Sequence, residues 1–385
     1  MTSRQFYITF WIIVVSLKVQ KMPSVMYEFL NKDFYLMLVP FFIINLLGIF
    51  MAFYILKKTK QQSLASVNHS NQNSFWVLFQ KGLVLAISIY FLAQALLLYE
   101  STRNLFEHIL FDNLSWAVFS TLLLAAVFYL AYTGISNIAL NMELYFYVIV
   151  ISYVVIAAFG ASKADFTFLF PLETIKIKPI LDNFLTFNIW FGDFFLVLFL
   201  GKHSKEIKLK WTVLTYVLAI GIIALLYLEF GGIYGDYAVM KPSLISTITE
   251  QSMLDLNIGR IDWFLILFAE IGTILSCGIC VYFSSKCMQF VFPKIKRLII
   301  LSVISVALYS INVFYLVDTH RRVLLFMKYL TMVAALTKWV PFVIMFFICL
   351  FMKKEYDKTS KTRFEKNKNM SNRIKSKKAV KSYEA

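Results

Sequence analysis

The sequence predicts an all-α polytopic membrane protein with about ten transmembrane helices, arranged as a five-plus-five inverted repeat in which helices 1 and 6 are broken. Three observations predict this class. Hydrophobic residues make up 59% of the 385 residues, and the mean hydropathy is +0.70. Only 16% of the residues are charged, well below the proportion in an ordinary soluble domain. The apolar residues also fall into separate segments, each close to the ~20 residues that cross a bilayer.

Ten apolar segments follow one another along the chain, separated by charged or turn-forming residues. We name them spans 1 to 10: Phe6–Leu30, Tyr35–Leu56, Gly82–Leu98, Leu114–Thr133, Leu144–Ala161, Phe184–Leu200, Trp211–Phe230, Ile261–Phe283, Leu298–Leu316 and Leu330–Met352. They predict a transmembrane domain over residues 1–352. The connection Gly231–Arg260 carries several Gly and Pro residues, which favours an external cap of turns and short helix.

The net charge of +16 is distributed as membrane topology requires. Twelve of the 38 Lys and Arg residues lie in the tail, residues 353–385, and others occupy short loops such as Lys57–Lys60 and Lys202–Lys210. Basic loops stay in the cytoplasm, so both termini are predicted to be cytoplasmic. The pattern indicates a lipid bilayer, and no nucleic acid, as the partner of these charges. The composition of the tail favours disorder, with binding to anionic headgroups as the alternative.

Span 1 contains a polar break that predicts a ligand site. It is apolar from Phe6 to Val15, then continues as Ser16-Leu17-Lys18-Val19-Gln20 before Pro23. Lys18 lies about 18 Å along the helix axis from Phe6, deep enough that its ammonium must face protein or water. Broken helices in transporters line a cavity that holds the ligand. We therefore take Ser16, Leu17, Lys18 and Gln20 as candidate ligand-binding residues. The repeat predicts a matching break at span 6, which also follows a Pro-containing polar stretch, Lys176–Asn183.

Four ionisable residues are predicted to lie at mid-depth in the membrane, and their charges balance. They are Lys18, Asp193, Glu270 and Lys338, in spans 1, 6, 8 and 10. One hypothesis places them around a polar cavity in which a zwitterion such as an amino acid meets partners for both its charges. The alternative is two buried ion pairs that fix helix packing. Span 3 adds Ser88 and Gln94, which either line the cavity or form interhelical hydrogen bonds.

Nothing in the sequence indicates an enzyme, a cofactor or a metal centre. The chain has no phosphate-binding loop, nucleotide fingerprint or nucleophile elbow. Its four histidines fall in loops or at span ends without ligand spacing. Cys277 and Cys280 form a CxxC inside an apolar helix, which favours small packing residues over a redox or zinc pair.

Several short motifs occur in an order that resembles one family. Gly235 and Pro242 precede Gly259-Arg260-Ile261-Asp262 at the entry to span 8. The other matching positions are Gln5-Phe6, Pro23, Thr133-Gly134-Ile135, Phe168-Leu169-Phe170-Pro171, Lys178-Pro179-Ile180 and Gly192-Asp193. The order resembles the spore germination receptor B-subunit permease family, within the amino-acid/polyamine/cation transporter superfamily. The chain departs from that family in having Ser16 and Lys18, where small glycines are usual, and Asp193, where a glutamate is usual.

The resemblance implies a subunit of a nutrient-germinant receptor in the inner membrane of a bacterial spore. Such a subunit would bind a small germinant, an amino acid above all, at the broken helices. It would act with a membrane A subunit and a lipoprotein C subunit. By the same resemblance Gly192 joins Asp193 as a candidate ligand-binding residue. Two alternatives stay open: a proton-coupled amino-acid transporter, with Asp193 or Glu270 carrying the proton, and a purely structural membrane subunit.

Overall fold

The computed structural model describes residues 1–20, 22–59, 74–106, 116–169, 183–184, 187–204, 206–235, 237, 244–245, 248–249, 261–315 and 320–351. These residues are almost wholly helical, and none of them lies in a strand. The α-helices of eight or more residues are α1 (Ser3–Val19), α2 (Met22–Leu30), α3 (Leu38–Lys58), α4 (Ser74–Leu105), α5 (Trp116–Thr133), α6 (Ile135–Lys163), α7 (Asp193–His203), α8 (Leu209–Tyr234), α9 (Ile261–Val291), α10 (Arg297–Ser310) and α11 (His320–Phe351).

Two compact units make up the chain, Met1–Pro341 and Phe342–Ala385. Every contact of the candidate site lies within the first unit. Of the second unit the structure describes only the end of α11. The tail at 353–385 and most of the segment Gly231–Arg260 lie outside the described residues, so the disorder of the tail and the external cap stay predictions.

Each of the ten predicted spans contains helix, which confirms an all-helical polytopic membrane protein. Among the described residues, six helical stretches are long and apolar enough to cross a bilayer: Phe34–Lys58, Val77–Leu105, Ile135–Lys163, Leu209–Tyr234, Trp263–Val291 and Met332–Leu350. The pair α1 and α2, bent by 45° at their junction, gives a seventh. Helices α5 and α10 are shorter, and the π-helical turn Ile311–Tyr315 follows α10 directly. The ten-span inverted repeat therefore stays a prediction.

Helix α9 is the centre of the bundle. It packs against α4, α6, α5 and α1. In its 18-residue apolar stretch 72% is buried, compared with 33% in the equivalent stretch of α6. Reciprocal hydrogen bonds tie it to α4: Ser88 Oγ donates to Ser284 O over 3.0 Å, and Ser284 Oγ donates to Ser88 O over 3.1 Å. Polar contacts of this kind hold helices together in lipid, where there is no hydrophobic drive between them.

One end of the bundle gathers basic residues, and we call it the basic end. Thr2 caps α1 in a capping box with Gln5. Arg4 Nε pairs with Glu143 over 3.2 Å, and Lys208 N donates to Tyr7 Oη over 2.9 Å. These contacts bring the start of α1 beside the starts of α6 and α8. The basic side chains of this end include Arg4, Lys57, Lys58, Lys81, Lys202, Lys208, Lys210, Lys286, Lys294, Lys296 and Arg297.

The turns before and after α6 are each explained by local backbone or hydrogen-bond geometry. Between α5 and α6 the chain turns at one residue, Gly134, whose φ of +94° is a conformation that favours glycine. After α6, Asp165 N donates to Gly232 O over 3.0 Å, which ties the turn to α8. The backbone and hydroxyl of Thr167 donate to the exposed Asp165 carboxylate and lower its pKa from the usual value.

Candidate functional site

Two interruptions of helix meet inside the bundle. The first is at Gln20, between α1 and α2. The second is the single 3₁₀ turn Asn188–Trp190 followed by Phe191 and Gly192, after which α7 begins at Asp193. A break in a membrane helix leaves backbone carbonyls without their helical partners, and these must be satisfied by neighbouring side chains.

Side chains from three other helices satisfy the carbonyls at the two breaks. Tyr227 Oη, on α8, donates to Lys18 O over 2.6 Å. Gln94 Nε2, on α4, donates to Ile189 O over 3.2 Å. Lys338 Nζ, on α11, donates to both Asn188 O and Phe191 O over 2.6 Å. The breaks are therefore built into the packing of the bundle.

A fully buried ion pair joins the two breaks. Lys18 Nζ, near the end of α1, lies 2.8 Å from Asp193 Oδ1, at the start of α7, and both side chains are 0% exposed. Lys18 Nζ also lies 3.5 Å from Val14 O and 5.2 Å from the centre of the Phe191 ring. Asp193 N donates to Asn45 Oδ1 over 3.3 Å. A carboxylate at the first residue of α7 is also favoured by the helix dipole.

Lys338 is satisfied by neutral oxygens around Asn188. Besides the two backbone carbonyls, its ammonium donates to Asn188 Oδ1, and Trp339 Nε1 donates to the same oxygen over 3.1 Å. All of these acceptors lie in the break before α7. Lys338 thus acts as a clamp on that break, with three oxygens for its three donors.

Glu270 connects the first break to α4. Its Oε1 accepts from Gln20 Nε2, and its Oε2 accepts from Thr102 Oγ1 over 2.8 Å. Gln20 Nε2 also lies 3.1 Å from Thr273 Oγ1. The carboxyl therefore binds neutral donors. The packing hypothesis expected two ion pairs among these four residues. The described residues show one, between Lys18 and Asp193, whereas Glu270 and Lys338 bind polar groups.

The other predicted site residues differ in their distance from the breaks. Ser16 and Leu17 are buried one turn before Gln20, and Gln94 reaches the second break directly. Ser88 lies away from it in the α4–α9 interface, the arrangement expected of an interhelical hydrogen bond. Gly192 is packed so closely that a Cβ there would lie 1.6 Å from Tyr90 Oη.

Several polar residues of the site were missed by sequence reasoning. Asn45, Asn188 and Tyr227 hold the breaks, and Thr102 lies beyond the predicted end of span 3. The lone asparagines in apolar surroundings were a usable signal; Tyr227 had none, because tyrosine is frequent throughout the spans. Glu229 was also missed, although it lies within span 7. It is fully buried, and neither of its carboxyl oxygens has a hydrogen-bond partner in the described part of the chain.

The site retains an unused polar atom. Gln20 Oε1 is buried and has no hydrogen-bond partner among the described residues. Asp193 Oδ2 and Ser16 Oγ are also buried, and the hydroxyls of Tyr216 and Tyr153 lie beside these two side chains. Unpaired buried acceptors are costly, so such atoms mark places where a ligand donor would be stabilised. Within the same residues, no group of three or more His, Cys, Asp or Glu side chains could hold a metal ion.

An apolar helical bundle whose buried charges meet at two broken helices has the architecture of a membrane permease. The family described as "Spore germination protein" matches residues 3–320, and the chain belongs to that family. Among solved structures, the crystal structure of a mutant manganese transporter from Eremococcus coleocola is similar, with a TM-score of 0.59 at 14% identity over 88% of this chain and 78% of that one. At this identity the likeness shows the fold, which is of the transporter type. In a comparison with individually curated proteins, none matched the chain.

Proposed function

We propose that the protein is the membrane subunit of a spore nutrient-germinant receptor, and that it binds a small zwitterion, an amino acid above all, at the two breaks. The single observation that carries the proposal is the buried ion pair between Lys18 and Asp193, because it places one positive and one negative group together where both helices are interrupted. Membership of the germination family supports the biological role. In this proposal the protein lies in the spore inner membrane with both termini in the cytoplasm.

The ion pair suggests how a ligand changes the structure. An amino acid would enter between the two side chains, with its carboxylate on Lys18 and its ammonium on Asp193. One internal ion pair is then exchanged for two with the ligand. The two side chains must separate to admit the ligand, so the state with separated breaks binds it more tightly. A ligand shifts a conformational equilibrium only through such differential affinity.

The separation of the breaks would be passed on through their fixed partners. Gln20 connects the first break to Glu270 on α9, and Lys338 connects the second to α11. In the receptor we propose that these movements reach the A subunit and the lipoprotein C subunit. The output is a signal to germinate, with no net transport.

Binding of amino acids to the purified full chain, alone and with co-expressed A and C subunits, tests the proposal. We expect a panel of amino acids to include at least one that binds wild type and fails to bind Lys18→Met, a variant of similar side-chain length. Lys57→Met removes an exposed lysine at the basic end and is the matched control. Binding that survives in Lys18→Met contradicts the proposed site. If no amino acid binds even with the partners present, the proposed function is wrong and a structural role is favoured.

A proton-coupled amino-acid transporter is the second candidate, and Glu270 favours it. This buried carboxyl contacts the first break and binds neutral donors, as a proton-carrying group can. Saturable uptake by the protein alone in vesicles, abolished in Glu270→Gln, would establish transport. A response that depends on the partner subunits, without uptake, would establish the receptor.

A further inference from the structure

A basic pocket lies at the basic end, between the start of α4 and the end of α9. Its volume is about 540 Å³. Gln80 and Lys81 line it from α4, and Lys286 and Gln289 line it from α9. It is separate from the two helix breaks, and neither the proposed germinant site nor its mechanism uses it.

The pocket presents hydrogen-bond donors and positive charge. Among the described residues no Asp or Glu lines it, and the sequence has none in residues 74–99 or 271–297, the stretches that form it. Lys286 Nζ lies 3.5 Å from Gln289 Oε1, a long contact that leaves the ammonium's remaining donors for other acceptors. Two ammonium groups and two carboxamides around one cavity match an anion with several oxygen acceptors, such as a phosphate ester.

The walls of the pocket point to a lipid as the source of that anion. Val77 and Phe290 contribute apolar surface to the lining. Next to these residues in the sequence, Leu78 is 69% exposed and Phe292 is 47% exposed, so apolar side chains are also exposed at the start of α4 and just beyond the end of α9. A site that is basic at its centre and apolar at its margin suits a molecule with an anionic head and hydrocarbon tails.

We propose that this pocket binds the headgroup phosphate of an anionic phospholipid, with Lys81 and Lys286 contacting the phosphate and Gln80 and Gln289 supplying hydrogen bonds. A lipid bound here would hold the start of α4 against the end of α9. The same two helices are joined by Ser88 and Ser284, deeper in the bundle. A zwitterionic lipid, whose headgroup carries its own ammonium, gains less from the two lysines.

Native mass spectrometry of the purified full chain, with phosphatidylglycerol and phosphatidylcholine in competition, tests this site. We expect wild type to prefer phosphatidylglycerol and Lys81→Gln/Lys286→Gln to lose that preference by about twenty- to thirtyfold, since each lysine near a lipid surface contributes about fivefold. Lys81→Arg/Lys286→Arg should keep it. Lys57→Gln/Lys58→Gln removes the same charge from exposed positions of the same end outside the pocket and is the matched control.

Three results would overturn the proposal. Equal loss of preference in the pocket variant and in the Lys57/Lys58 control would assign the effect to diffuse surface charge. Wild type without any preference would remove the site altogether. Inorganic phosphate that binds with the same lysine dependence and displaces phosphatidylglycerol completely would make the ligand a soluble phosphate. Elution of each variant as wild type in size-exclusion chromatography shows that misfolding is not the cause.

Discussion

At the scale of single residues, the ion pair of Lys18 and Asp193 is the most consequential contact. Both groups are fully buried, so removing one leaves the other as an uncompensated charge. We expect Lys18→Met and Asp193→Leu each to destabilise the bundle by about 3–5 kcal/mol, and the double variant to be destabilised by much less than the sum. Unfolding of the purified protein in detergent measures all three. Additive losses would contradict a direct pair.

Gly192 is a second residue whose role depends on close approach. A Cβ there would lie 1.6 Å from Tyr90 Oη and 3.0 Å from Lys338 Cδ, so the Gly192→Ala variant must displace the second break or its clamp. We expect a loss of several kcal/mol in stability, of the size of a severe overpacking defect, and loss of amino-acid binding. Gly221→Ala is the control, because nothing lies within 4 Å of a Cβ at that position. Similar behaviour of the two variants would contradict the close packing around Gly192.

At the scale of elements, the α4–α9 contact includes a reciprocal pair of serines. Ser88 and Ser284 each donate to the other's backbone carbonyl. Replacing either serine with alanine therefore removes one of these two hydrogen bonds and leaves the other. We expect a coupling energy of about 0.6 kcal/mol in the cycle of Ser88→Ala, Ser284→Ala and the double variant, the average for hydrogen bonds between membrane helices. Ser276→Ala is the matched control, because Ser276 Oγ donates within its own helix to Gly272 O. Coupling between Ser88 and Ser276 as large as that between Ser88 and Ser284 would contradict the assignment.

The two helix breaks also depend on contacts between different helices. The break at Gln20 and the turn at Asn188 are held by side chains from α4, α8, α9 and α11, so each break belongs to the bundle and not to its own helix. Sequence reasoning placed the first break within Ser16–Pro23, because polar residues and a proline interrupt an apolar run. The structure narrows it to Gln20, since α1 continues to Val19 and α2 begins at Met22. Sequence reasoning placed the second in span 6 from the repeat and from the polar stretch Lys176–Asn183, without the 3₁₀ turn Asn188–Trp190.

At the scale of the whole molecule, the basic end predicts which end of the protein faces the cytoplasm. Arg4, Lys57 and Lys208 lie at one end, whereas α6 runs from Glu143 near that end to Ser162 at the other. We expect Lys58→Cys to react with a membrane-impermeant maleimide only after the cells are opened, and Ser162→Cys to react in intact cells. Both positions are exposed, and all four native cysteines are buried. The reverse labelling pattern would show that the protein crosses the membrane in the opposite orientation.

The amino-acid pattern alone predicts the class of protein and most of the buried charges of the candidate site. Long apolar segments and clustered charges identify a membrane bundle, because the bilayer imposes the same length and polarity on any helix that crosses it. Charged residues in the middle of apolar segments stand out against that background, which is why the sequence alone predicts Lys18, Asp193, Glu270 and Lys338. Glu229 lies next to the predicted end of span 7, Phe230, and was missed.

Which of these residues contact each other depends on how the helices pack. Lys18 and Asp193 are 175 positions apart, and Ser88 and Ser284 are 196 apart. Hydrophobic patterning reports which face of a segment is buried and carries no information on which other segment covers it. Helix packing therefore pairs Lys18 with Asp193 and places Glu270 beside Gln20 and Thr102. It also places Lys338 against backbone carbonyls and Ser88 in a helix interface.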